Sequence, residues 1–255
     1  MDGLPLWLTG LGAMMLASWL MVRLLTPSAR AVARRRAELR RLASGLGLRY
    51  FGTADPAIVE LLPSFSLLGE GYAREVANLV AEQRRPPRLL LFDYHTMRSH
   101  AQDGDTRPSE YDYSMLHLVA MAAVADGTEV TPMRLFRPDW FGGPVGVSDL
   151  YHLTFPGDPG FGSYYLFVGE PREGVRRMFT APVREAVTNW LQSGPKPVVE
   201  IVPGWAITFI ETVVTDKDVA KRASALLGYV AGIAKALGDA QPPQGQAPTP
   251  ATNER

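Results

Sequence analysis

The sequence predicts an α+β fold: a mostly antiparallel sheet of about eight strands packed with two or three helices, plus one N-terminal transmembrane helix. Three observations carry this expectation. Residues 3–22 hold no charge and run directly into an arginine-laden stretch. Residues 48–214 carry short β-branched and aromatic runs punctuated by Gly and Pro, without the regular strand and helix alternation of a doubly wound parallel sheet. Residues 216–237 carry apolar side chains at alternating steps of four and three, the stripe of an amphipathic helix.

The anchor comes first. A helix needs about twenty apolar residues to cross a hydrocarbon layer of about 30 Å, and Leu4, Leu6, Trp7, Leu8, Leu11, Met14, Met15, Leu16, Trp19, Leu20, Met21 and Val22 meet that length. Pro5 falls in the first turn, where its missing N–H costs nothing. A secretory signal carries its positive charge before the apolar run; here Asp2 precedes it and the arginines follow, although Ala29 and Ala31 resemble a cleavage site.

Between residues 23 and 41 stand Arg23, Arg30, Arg34, Arg35, Arg36, Arg40 and Arg41 against Glu38 alone, a net charge of +6. Cationic residues are retained on the cytoplasmic side. The expected protein is therefore single-pass in the cell membrane, with its N-terminus outside and its main domain cytoplasmic. The seven arginines are its candidate contacts to anionic lipid headgroups, at about 1 kcal/mol each near the surface.

The formal charge of the whole chain is zero, but everything beyond this collar and Asp2 holds 19 basic against 24 acidic residues. A mildly acidic body argues against nucleic-acid binding, which needs a basic face. There is no cysteine, which excludes disulfides, thiolate metal sites and a thiol nucleophile.

Four regions follow: an anchor at 1–25, a basic juxtamembrane helix at 26–45, a cytoplasmic α+β domain at 46–238 and a disordered tail at 239–255. Thr26-Pro27-Ser28 breaks and restarts the helix. Residues 28–43 then favour helix, with Val32, Leu39, Leu42 and Leu46 as a thin apolar stripe ended by Gly45 and Gly47. A short strand is expected at 48–51 and a short helix from Asp55-Pro56 to Leu62. Strands are expected at 72–83 and 88–97, the second alternating Leu90, Phe92 and Tyr94 against Asp93 and His95. The polar loop 98–110 leads to a strand at 111–124 whose second half is apolar throughout. Further strands are read at 133–137, 151–155 and 164–168, the last two separated by a glycine-rich loop at 156–162. A helix from Pro171 to about Gln192 is interrupted at Thr180-Ala181-Pro182. Strands at 198–202 and 205–214 pair around Pro203-Gly204.

The last helix buries Val219, Ala223, Leu226, Val230, Ile233 and Leu237 on one face. Ala220, Ser224, Gly228, Gly232 and Ala236 form a small-residue ridge that lets a neighbouring backbone approach. Packing of this ridge on the sheet is the expected use, self-association the alternative. The helix's uncharged core is too short to span a membrane.

Several stretches resemble an uncharacterised bacterial family of membrane-anchored domains of unknown function. They are Leu46-Gly47-Leu48-Arg49-Tyr50-Phe51-Gly52-Thr53, Asp55-Pro56-Ala57-Ile58, Leu62-Pro63-Ser64-Phe65 and Phe92-Asp93-Tyr94, with Met178-Phe179-Thr180, Trp190-Leu191, Glu200 and Gly204-Trp205 further on. The resemblance covers roughly residues 35–215. It implies one or two N-terminal membrane segments before the domain, and no activity or catalytic residue.

The densest polar cluster is Asp93, His95, His100, Asp103, Asp105, Glu110, Tyr111, Asp112 and Tyr113. Asp93 and His95 are two apart and share a strand face, but the spacing matches no ligand motif, and no metal or cofactor is expected. His117 and His152 sit among apolar neighbours and read as buried, hydrogen-bonded histidines. The loop Gly157-Asp158-Pro159-Gly160-Phe161-Gly162-Ser163 lacks the lysine of a phosphate loop and the third glycine of a dinucleotide fingerprint. No Gly-x-Ser-x-Gly elbow occurs.

The function expected is a membrane-anchored, non-enzymatic binding or scaffolding module with an unidentified protein partner and possible homo-oligomerisation. The alternative is a membrane-tethered enzyme, such as a hydrolase, using Asp93, His95 and Tyr113.

Overall fold

The computed structural model of the chain describes residues 14–15, 29–53, 58, 60, 62, 65, 72–83, 88–98, 113–136, 151–190 and 197–240. Its centre is an eight-stranded, wholly antiparallel sheet in the order β1-β2-β3-β4-β8-β7-β5-β6. The strands are β1 (Arg49–Tyr50), β2 (Tyr72–Ala81), β3 (Leu89–Arg98), β4 (Tyr113–Ala123), β5 (Met133–Phe136), β6 (Leu166–Val168), β7 (Val198–Val202) and β8 (Trp205–Thr212). Five helices accompany them: α1 (Ala29–Gly45), α2 (Pro159–Tyr164), α3 (Arg172–Met178), α4 (Ala181–Thr188) and α5 (Val219–Asp239). The α+β class and the strand number match the expectation; the described helices outnumber it.

The strand order has a physical reading. β3 and β4 pair over ten rungs, from Leu89↔Ala122 to Arg98↔Tyr113. The next partner of β4 is β8, so the β7–β8 hairpin is inserted between β4 and β5. That hairpin closes at Val202↔Trp205 over Pro203-Gly204, with Gly204 at φ +83°, the arrangement that a turn with proline first and glycine second adopts.

The sheet is buried on both faces. On one side Leu91, Leu118, Ala120, Val199, Ile201 and Ile210 pack beneath Leu39 of α1 and Ala223, Leu226, Val230 and Ile233 of α5. On the other, Leu90, Phe92, Tyr94, Val119, Met121 and Ile207 pack with Ile58, Leu62 and Phe65. Successive residues of β3 therefore point into two cores, and the side marked as polar by Asp93 and His95 also carries the buried Leu91.

Helix α1 ends as its glycines require. Gly47 takes φ +68° while Leu48 N–H reaches back to Ala43 O at 2.8 Å, the terminal bond of a Schellman motif. Its inward stripe differs from the expected one. Arg35, Leu39 and Ala43 are buried, whereas Val32 and Leu46 are exposed. The reason is electrostatic, because an arginine takes the inward position that an aliphatic residue would otherwise fill.

Three further differences matter. Residues 156–162, read as a loop, contain the start of α2, because Asp158 Oδ1 accepts Phe161 N–H at 3.1 Å and Pro159 occupies the first turn. Residues 151–155, read as a strand, make only the bridge Tyr151↔Phe167. Finally, the small-residue ridge of α5 does not lie on the sheet. Ser224, Gly228 and Gly232 are exposed, Ala220 and Ala236 half-buried, and the buried face holds the expected stripe from Val219 to Leu237 together with Leu227 and Ala234.

Among the described residues no helix is long and apolar enough to cross a membrane. The apolar run at 3–22 lies outside them apart from Met14 and Met15; of the tail expected at 239–255, Asp239 ends α5 and Ala240 caps it, and residues 241–255 lie outside the described residues.

Candidate functional site

The most densely connected polar group joins the basic helix to the middle of the sheet. Arg35 Nε donates to Asp93 Oδ2 at 2.8 Å and Nη2 to Oδ1 at 2.7 Å, a two-pronged pairing between side chains that are both nearly fully buried. Arg35 Nη1 donates to Val213 O at 3.0 Å, just past the end of β8. Asn78 Nδ2 donates to the same Asp93 Oδ2 at 2.8 Å, and Tyr50 OH donates to Asn78 Oδ1 at 2.7 Å. Five segments thus meet at one node: α1, β1, β2, β3 and the end of β8.

Each position has a local cause. Asp93 falls on the helix-facing side of β3, in step with Leu91. Asn78 sits where the β2–β3 register slips between Ala77 and Val80, with φ +53°, a left-handed conformation that asparagine adopts more readily than most residues. Its N–H is used too, donating to Gly52 O at 2.9 Å. Tyr50 carries the Arg40 guanidinium 5.0 Å above its ring. Burial pushes the Tyr50 hydroxyl above its ordinary range, with Arg36 and Arg40 pulling the other way and Asp93 adding to the rise.

Chemically this node is closed. Both Asp93 oxygens are occupied by charged or amide donors, so the carboxylate is a counter-ion rather than a base waiting for a substrate proton. A buried ion pair costs desolvation of both charges, and only near-complete hydrogen bonding makes it tolerable. Val213 O and Asn78 provide that completion.

The residues singled out from the sequence are thus only partly assembled. His95 is half-buried two positions from Asp93, opposite Leu116. Tyr113 opens β4 opposite Arg98, five residues and about 17 Å of strand from the rung facing Asp93. His100, Asp103, Asp105, Glu110, Tyr111 and Asp112 lie outside the described residues. Among the described residues no group of three His, Asp or Glu side chains gathers as a metal site.

Of the seven arginines proposed as headgroup contacts, Arg23 lies outside the described residues. Arg30, Arg34, Arg36, Arg40 and Arg41 are exposed along α1, with Arg34 paired to Glu38 at 2.9 Å. Arg35 departs from that reading: with 3% of its surface exposed, its guanidinium faces Asp93 and not a lipid phosphate. Sequence reasoning also missed Asn78 and Tyr50. The signal available was a polar residue inside the apolar run Val76 to Ala81, Asn78 between Ala77 and Leu79.

His117 is buried and meets Phe209 edge to face at 5.3 Å, as its apolar neighbours suggested; His152 is exposed. A cavity of about 560 Å³ lies beside Thr131, Gly174, Arg177, Met178 and Leu237. A groove of about 430 Å³ runs between α4 and α5.

This architecture defines an α+β domain with a single antiparallel sheet clamped to a basic leading helix. Scans of known protein families and of curated proteins find no match. Among solved structures, the chain is similar to the mycobacterial trehalose monomycolate transport factor A, TtfA, with 16% identity and a TM-score of 0.51 over 85% of this chain and 99% of that one. The likeness is one of fold.

Proposed function

We propose that this chain is a membrane-tethered, non-enzymatic accessory module whose basic stem helix is locked onto the sheet, so that the domain is presented to a protein partner in a set orientation. The observation that carries this reading is the Arg35–Asp93 pair. The helix that follows the apolar run is not a loose linker: its inward arginine is tied to the third strand and to Val213 O. The similar solved structure is a transport factor, and an accessory role of that general kind fits a closed polar node. The exposed arginines of α1 then face anionic headgroups, and the domain family suggested by the sequence belongs to the same reading.

Affinity purification of the full chain from detergent-solubilised membranes tests it. The expected result is a partner in stoichiometric amount, with the chain resisting alkaline carbonate extraction. Release of the chain by carbonate removes the tethering. Loss of cellular function in His95→Ala, with melting temperature and partner recovery intact, replaces the reading by an enzymatic one.

A further inference from the structure

The small-residue ridge of α5 faces outward at Ser224, Gly228 and Gly232. A Cβ added at Gly228 or Gly232 touches nothing within 4 Å, so this stretch of helix backbone is open from the side. The two glycines floor the groove between α4 and α5, with Ala225 beside them and Trp190 and Tyr229 forming its aromatic wall. Tyr229 OH is satisfied by Val187 O at 2.8 Å. Trp190 is 91% buried, yet its indole N–H meets no acceptor among the described residues. A buried donor without an acceptor is uncommon and costly. The groove therefore combines an open backbone with an unanswered hydrogen-bond donor.

The pattern along α5 is symmetric about residue 230. Ala220 and Ala240, Ser224 and Ala236, and Gly228 and Gly232 lie at equal distances on either side of it. Lys221 and Asp239 do as well; they are five full turns apart and stand on one line down the helix, on the face that Gly228 and Gly232 straddle, where Lys235 already pairs with Asp239 at 3.9 Å within the chain. A two-fold interface requires a surface that is complementary to itself. Crossed antiparallel at residue 230, two copies of this helix set Gly228 against Gly232, Ser224 towards Ala236, Lys235 towards Ala225 and each Lys221 towards the other chain's Asp239. Crossed in parallel, they set lysine against lysine and aspartate against aspartate. Exposed ion pairs add little affinity, but they select between the two orientations.

We propose that the α4–α5 groove is a homodimer interface in which α5 crosses its copy antiparallel at Gly228 and Gly232. Close approach of two helices along rows four residues apart is the ridges-into-grooves packing that crosses at about −50°, and glycine at the crossing point permits it.

The absence of cysteine from the chain makes orientation directly measurable. Full-length chains carrying Ser224→Cys or Ala236→Cys are purified in detergent and oxidised singly and as an equal mixture. An antiparallel crossing gives a disulfide-linked dimer mainly in the mixture, between one variant and the other. A strong dimer from Ser224→Cys alone denotes a parallel crossing and overturns the proposal. Light scattering gives the second readout: the native chain is expected as a dimer and Gly228→Leu as a monomer with an undiminished melting temperature. A monomeric native chain with no cross-link in the mixture also overturns it and leaves the groove to a different partner.

Discussion

Arg35 and Asp93, 58 residues apart in sequence, form a two-pronged ion pair with both side chains nearly excluded from water. This contact fixes the direction in which the basic helix leaves the domain, and its energetics are asymmetric. Arg35→Met leaves a buried carboxylate without its charge partner, and Asp93→Leu leaves a buried guanidinium. Each is expected to cost about 3–5 kcal/mol, while the double variant Arg35→Met/Asp93→Leu costs less than either because no orphan charge remains. Urea denaturation of the four chains, read as a double-mutant cycle, checks this; additive losses would show that the two side chains act independently.

Asn78 supports the same pair from the strand bulge. Asn78→Ala removes the amide that donates to Asp93 Oδ2 and accepts from Tyr50, and also places a Cβ-bearing residue without a polar side chain at φ +53°. Asn78→Gly removes the same amide but tolerates the backbone. The alanine variant is expected to be less stable than the glycine variant by about 1 kcal/mol, measurable as a difference in denaturation midpoint. The reverse order would mean that the backbone at this bulge relaxes freely.

Gly174 is where α3 presses on the segment before β5. A Cβ there would sit inside contact distance of Thr131 Oγ1. Gly174→Ala is expected to destabilise by about 1–3 kcal/mol through overpacking, and Thr131→Ala in the same chain to recover most of that loss. Thermal melts of the single and double variants decide it.

Tyr229 links the two helices that form the groove. Burial raises its hydroxyl far above the ordinary range, with Tyr165 adding to the shift. In the unfolded chain it loses its proton near pH 10, while in the folded chain it keeps it. Its contribution to stability is therefore complete below about pH 10 and is lost progressively as pH rises above it. Tyr229→Phe should flatten the alkaline fall in stability while costing about 1 kcal/mol at neutral pH for the lost bond to Val187 O. An alkaline limb identical in both chains would place the titration elsewhere.

Orientation of the proposed anchor is expected to follow the charge asymmetry of its flanks. With no native cysteine, a cysteine at position 2 is the only thiol in the chain. It should react with a membrane-impermeant maleimide in intact cells. Reaction only after lysis would reverse the orientation.

Much of the architecture is legible from local pattern. The alternation Leu90, Phe92 and Tyr94 against Asp93 and His95 marks β3 and its one apolar face, though not the second core that Leu91 enters on the other face, and Pro203-Gly204 marks the β7–β8 turn because those two residues prefer the required dihedrals. The α5 stripe is read correctly for the same reason: a 3.6-residue repeat is a property of the helix itself. The start of α2 was also readable, since Asp158-Pro159 is the cap signal already used at Asp55-Pro56, but the surrounding glycines obscured it. The node around Asp93 was not legible. No local rule places an arginine of one helix against an aspartate 58 residues away, or an asparagine in a bulge between them.

Composition and periodicity alone determined that the chain has an α+β body behind a charge-asymmetric leader, because burial of apolar stripes depends on spacing that any short window displays. Tertiary structure alone decided the strand order that inserts β7 and β8 between β4 and β5, and that Arg35 turns inward while its neighbours face outward. It also decided that the small side of α5 points to solvent. Each of these depends on which distant segment arrives opposite a given face: an arginine is a surface residue until a carboxylate with the right geometry lies beneath it, and then the pair is buried together.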